Sequence, residues 1–181
     1  MRVRDTSLAM ANAEDAAPDF MVPLEAWRAW RVVEHDGELS LASVVKRTLW
    51  PPRRPFVASC LRPRIPSDWL RRRRPHEAPA ETCECGIYAT RLELCGEYLT
   101  DSPPPAFARV IGRVAIWGTV VECELGFRAS HAYPVALYIP EDASRRASPE
   151  EIASRLARYG ISIELVPTDR KDVPALLRSA G

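Results

Sequence analysis

The chain has no apolar run approaching the ~20 residues of a membrane-spanning helix, which excludes a helical span. No apolar stretch follows the charged start Met1-Arg-Val-Arg-Asp5, so a secretory signal is not expected. There is no G-x-S-x-G, no P-loop and no G-x-G-x-x-G, and the common hydrolase and nucleotide signatures are therefore missing. His76-Glu77 does not extend to H-E-x-x-H, because position 80 is alanine. No H-x-E accompanies a C-x-x-C, so a zinc-deaminase site is not expected either. Lysine is nearly absent: of 25 basic residues only Lys46 and Lys171 are lysines. Glycine is scarce at 8 against 17 prolines, a ratio that favours long ordered loops over long helices. The net charge is +1, and the molecule as a whole carries no strong field.

What is present begins with an ordinary globular apolar fraction of 46% in 181 residues, enough for one domain with a substantial core. The five cysteines are odd in number. In the cytoplasmic setting expected here, metal binding or buried free thiols are better readings than a disulfide framework. Residues 1–20 are polar and aperiodic and are expected to be a flexible tail. Residues 21–181 are expected to form a single α+β domain, within which 46–86 is a Pro/Arg-rich excursion.

The domain is expected to have a mainly antiparallel, partly barrel-like β core. Two β-prone runs flank Asp36-Gly37, a hairpin signal, with Trp30 and Val32 on one face and Trp27, Arg31 and Val33 on the other. Dense β-branched residues over 107–140, among them Val110, Ile111, Val114, Ile116, Val120 and Val121, predict the core strands, with Gly112 and Gly118 as bends or bulges. Ser148-Pro149-Glu150-Glu151 is a helix start, and Ile152, Leu156 and Tyr159 fall on one helical stripe ending at Gly160. The alternation of Ile161, Ile163 and Leu165 predicts a strand after it. With Val135–Ile139 this makes a strand–helix–strand unit. Pro174 opens a short last helix.

Within the excursion Cys60, His76, Cys83 and Cys85 read C-x15-H-x6-C-x-C-G. Three thiols and an imidazole are the donor set of a closed structural zinc site. Cys83 and Cys85 are expected to meet one ion only if a turn lies there, and Gly86, which tolerates φ > 0, suits such a turn. The alternative is Cys60 as a small core residue and His76 as a solvated one. Cys95 in place of His76 makes a four-thiol set, suitable for zinc or an iron–sulfur cluster; its neighbours Leu92, Leu94 and Leu99 point instead to the core.

Between Lys46 and Arg74 lie ten basic residues and one acid, Asp68, a local charge of +9 against −8 for the remainder. Arg53, Arg54, Arg62, Arg64, Arg71, Arg72, Arg73 and Arg74 are the candidate anion-binding residues, because guanidinium forks suit phosphate and carboxylate. Trp50 and Trp69 lie in the same segment as candidate stacking surfaces. The alternative is that these arginines pair with the protein's own acidic surface or are simply solvated.

The expected function is a non-enzymatic, zinc-stabilised binding module engaging nucleic acid or an acidic protein through the arginine-rich loop. Two other classes are open. One is a small enzyme using Glu122, Glu124, Arg128 and His131 in acid–base roles, against which stands a solvated charge ladder. Ser130 and His131, adjacent in a strand, are expected to point apart and not to pair. The other is a subunit of a larger assembly with Trp27 and Trp30 as an interface patch.

Overall fold

The computed structural model describes residues 22–46, 48–60, 76–80, 82–95, 107–166 and 172–179. The expected N-terminal tail lies outside them. Among the described residues seven strands form one mixed sheet. In chain order these are β1 (Leu24–His35), β2 (Glu38–Ser43), β3 (Phe56–Val57), β4 (Ile87–Thr90), β5 (Ala108–Cys123), β6 (Gly126–Pro140) and β7 (Ser162–Val166). The helices are the short α1 (Leu92–Cys95), α2 (Pro149–Leu156), continued by a 3-10 turn over Ala157–Tyr159, and α3 (Val173–Ser179). Among the described residues no helix is long and apolar enough to cross a membrane.

The β1–β2 hairpin turns at Asp36 and Gly37, both at positive φ, with His35 opposite Glu38. Positive φ at both central residues matches the twist of the flanking strands. β5 and β6 form the long central hairpin; its register shifts between Arg113 and Val114 and again between Trp117 and Val120, beside the two glycines that predicted bulges. β5 also pairs with β1 over Leu24–Val32.

One edge of β6 is given to β5. The other is shared end to end by β4 at 126–129, β3 at 131–132 and β7 at 136–140. Only β7 runs parallel to β6. The path β1–β5–β6–β4 returns to β1 through a single residue pair, Trp27 with Thr90. The strands therefore make a hydrogen-bonded ring but not a clear barrel, a coarser outcome than the partial barrel expected.

The strand–helix–strand unit is present. Ser148 caps α2, its Oγ accepting from the backbone N–H of Glu151 at 3.2 Å. Ile152, Leu156 and Tyr159 are buried against the main core. In β7 it is Val166 that enters the second apolar cluster, while Leu165 is exposed.

Three tryptophans depart from their expected roles. Trp30 is fully buried and meets Trp50 edge-on at 5.4 Å, and Trp27 is half-buried and stacked on Tyr138, so this pair is core and not an exposed patch. Trp50 is also buried, stacked on Phe56 at 4.9 Å, and presents no face to a base. Large indole surfaces with apolar neighbours on the inner sheet face gain more from leaving water than from solvated stacking. Trp69 lies outside the described residues.

This packing means that the first leg of the excursion, 48–60, lies on the core and does not project from it. Tyr159 ties it down: its hydroxyl accepts from Leu41 N–H at 2.8 Å and donates to Trp50 C=O at 2.7 Å. Tyr133 repeats the device one step on, accepting from Arg53 N–H and donating to Tyr159 C=O, both at 2.7 Å. Tyr159→Phe leaves a buried carbonyl and a buried N–H without partners, and should cost about 1–3 kcal/mol in urea unfolding with an unchanged m-value. A loss below a few tenths would show that neither bond matters.

Candidate metal centre

Cys60 follows β3, whose pairing with His131 and Ala132 of β6 is extended by Ala58 N–H donating to Ser130 C=O at 2.7 Å. Cys83 and Cys85 precede β4, which pairs with the adjoining stretch of β6, Ile87 opposite Ala129. The two legs of the excursion thus lie end to end along one edge of β6. Between Ala80 and Gly86 the chain turns, with Cys83 N–H donating to Ala80 C=O at 3.1 Å. Gly86 has φ +124, and a Cβ there would stand 3.0 Å from Pro79 Cβ and 3.2 Å from Arg128 Cβ. Both the backbone angle and the space require glycine. The turn lets both cysteines of the C-x-C face one point.

The donor atoms of Cys60, His76, Cys83 and Cys85 all lie within 4.8 Å of one another, close enough to hold a metal ion, and all the cysteines are free. Cys60 Sγ is 3.8 Å from Cys83 Sγ, and His76 Nε2 is 3.3 Å from Cys85 Sγ. For ligands at the usual zinc distances, the edges of a tetrahedron are about 3.8 Å between sulfurs and about 3.6 Å between nitrogen and sulfur. Two of the observed edges are near those lengths, and the longest separation needs a contraction of about 1 Å. Cys85 is buried, Cys60 and Cys83 are half-buried, and His76 is exposed.

The thiols also perturb one another. Burial acts to raise the Cys83 pKa, but the Cys85 backbone N–H, the Cys85 and Cys60 thiols and His76 together outweigh it and bring it down to about 7. Burial, with Coulombic repulsion from Cys83 and Cys60 added, pushes Cys85 up. Metal binding removes this conflict, since a cation stabilises all the thiolates at once.

Cys95, the alternative fourth thiol, is not at the centre. It is fully buried with Leu92, Ile111, Ala136, Tyr138, Val166 and Val173, and burial raises its pKa to about 12. The apolar spacing around it prevails, and the four-thiol set is not assembled.

Arg128 has a part that sequence reasoning missed. Its side chain is only 8% exposed. Nη1 donates to the carbonyls of Ala80 (3.2 Å), Cys83 and Cys85 (3.1 Å), and Nε donates to Cys123 Sγ at 3.3 Å. A buried guanidinium thus holds the backbone of the C-x-C turn from beneath, beside a shallow depression of about 410 Å³ lined also by Thr82, Glu84 and Tyr88. Tyr88 braces the same turn, its hydroxyl donating to Glu84 C=O at 2.8 Å. No local signal marks this role, because Arg128 is separated from the turn by more than 40 residues and meets it only through the β4–β6 pairing.

The other residues proposed for acid–base work are dispersed. Glu122 is exposed and 3.7 Å from Arg91, and Glu124 is exposed in the β5–β6 turn. His131 stacks on Trp117 at 5.8 Å. Among the described residues no hydrogen bond or ion pair joins either glutamate to Arg128 or His131. Ser130 and His131 do meet, contrary to expectation, with Oγ 2.9 Å from Nδ1. The physical reason is Gly118 in the bulge opposite, where a Cβ would collide with Ser130 Oγ and lie 2.9 Å from His131 Nδ1. The hydroxyl is also held by Thr119 N–H (3.0 Å) and Trp117 C=O (3.3 Å). These bonds to both backbone groups make it part of the bulge.

Of the anion-binding candidates, Arg53 and Arg54 are exposed beside the core. Arg53 Nε donates to Arg158 C=O at 3.2 Å, near the C-terminal end of the helical segment where a cation is favoured. Arg62, Arg64, Arg71, Arg72, Arg73 and Arg74 lie outside the described residues. Comparison of the chain with known protein families, with curated proteins and with solved structures finds no match.

Because Arg128 fixes the turn without being a ligand, Arg128→Gln should weaken binding of a cobalt(II) probe by about 10–100-fold, the usual range for groups that orient ligands. The check is competition against a calibrated chelator, with circular dichroism to establish that the sheet persists. An unchanged dissociation constant in a folded variant would remove Arg128 from the centre.

Proposed function

We propose that the chain is a non-enzymatic, zinc-stabilised binding module that engages an anionic partner, nucleic acid or an acidic protein surface, through its arginine-rich loop. One observation carries the reading: the four donors within 4.8 Å include Cys60 and His76, the residues that flank segment 61–75. Six arginines, Arg62, Arg64 and Arg71 to Arg74, stand between two points pinned to one site. A metal ion there closes the base of the loop, which lowers the entropy to be lost when the arginines engage a partner.

Zinc suits three sulfurs and one imidazole, and four protein donors leave no open position for water. That favours a structural ion over a catalytic one. The dispersal of Glu122, Glu124, Arg128 and His131 supports the same side of the choice. The charge contrast between the segment and the remainder of the chain favours an anionic partner, since a guanidinium pairs with phosphate and carboxylate alike.

Purified full-length protein should contain one zinc per chain by elemental analysis, and Cys83→Ser should lose it. If six arginines neutralise phosphates, affinity for an oligonucleotide should fall by about 10³-fold between 50 and 200 mM salt. Binding to an acidic peptide with no binding to oligonucleotides would assign the partner as protein. Salt-insensitive binding to either, or a chain free of metal after purification under reducing conditions, would overturn the reading.

A further inference from the structure

We propose that Cys60 and Cys83 are an oxidisable pair, which hydrogen peroxide converts to a disulfide that expels the metal ion and replaces it as the link between the two legs of the excursion. The inference rests on the metal-centre reading and adds a chemistry to that site.

The three sulfurs of the centre are not equivalent. Cys60 Sγ and Cys83 Sγ are 3.8 Å apart, and both residues are half-buried and so open to a small oxidant. Cys85 is buried, and its sulfur rests against His76 Nε2. The remaining thiols are out of play: Cys95 is fully buried, and Cys123 Sγ is held by Arg128 Nε outside the donor group. A disulfide needs sulfurs about 2.05 Å apart, so the Cys60 and Cys83 sulfurs must close by about 1.8 Å. Their two legs are carried separately by β3 and β4 on the same edge of β6, so the covalent link joins points the sheet already holds together. A Cys83–Cys85 link would have to form inside the turn whose carbonyls Arg128 fixes.

One thiolate attacks a peroxide oxygen; the O–O bond breaks, leaving a sulfenic acid and, after protonation, water. The second thiolate attacks the sulfenic sulfur; the S–O bond breaks, and hydroxide leaves as water after taking a proton. The two sulfurs lose two electrons and the peroxide gains them, while the ion departs as a divalent cation. Cys85 and His76 remain, and two donors are too few for a closed site.

The test treats the zinc-loaded full chain with hydrogen peroxide, follows release with a chromogenic chelator, and maps disulfides by mass spectrometry without reduction. One zinc should be released for each Cys60–Cys83 cross-link, and thiol reductant with added zinc should reverse both. Cys85→Ser should still form the cross-link, and Cys60→Ser should not. Release without that cross-link, or a cross-link to Cys85 in its place, would overturn the proposal. Zinc uptake by the reduced chain is read separately, so failure of the metal-centre reading is distinguishable. A metal-free chain that also fails to form the Cys60–Cys83 link rejects the oxidisable pair as well.

Discussion

A strand in the middle of a sheet has two edges to satisfy, and β6 fills its second edge with three different segments. Each backbone N–H and C=O along that edge needs a partner, and a single long neighbour would meet the need. Here β4, β3 and β7 divide the work. The consequence is positional. Two segments far apart in the chain, one ending at Cys60 and one beginning at Cys83, are set next to each other by backbone hydrogen bonds that have nothing to do with metal. The donor cluster is a by-product of how β6 is paired.

A second constraint holds that arrangement at the level of side chains. Arg128 sits on β6 opposite Tyr88 of β4, and its guanidinium is buried. A buried cation is tolerated only with acceptors around it. The acceptors are the carbonyls of Ala80, Cys83 and Cys85, together with the Cys123 sulfur, so satisfying Arg128 and shaping the ligand turn are one requirement. On the other leg Tyr159 and Tyr133 do similar work, converting the proline-rich 50–54 stretch into an ordered approach to β3. The centre is therefore supported from both sides by polar groups on the core.

The legible parts of this protein were those with local causes. The Asp36-Gly37 hairpin follows from turn chemistry, the α2 start from Ser148 and Pro149, and the helix stripe from the spacing of Ile152, Leu156 and Tyr159. The C-x-C turn was readable because Gly86 stands directly after it. Errors arose where a residue's role depended on distant partners. Trp50 looks like a solvated aromatic in a basic segment and is instead a core plug against Trp30 and Phe56. Arg128 looks like one member of a charged face and is instead a clamp. Ser130 and His131 obey strand alternation until the bulge at Gly118 makes room for them to touch.

The amino-acid sequence alone determined the donor set, the concentration of arginine between its first two members, and the local turns and caps, because composition and short-range sterics act within a few residues. Only the tertiary structure decided that Cys60 and His76 meet Cys83 and Cys85, that Cys95 does not, and that Arg128 serves the turn. Those outcomes depend on which segments share the edge of β6, and strand pairing between residues dozens of positions apart is chosen by the burial and hydrogen bonding of the whole sheet.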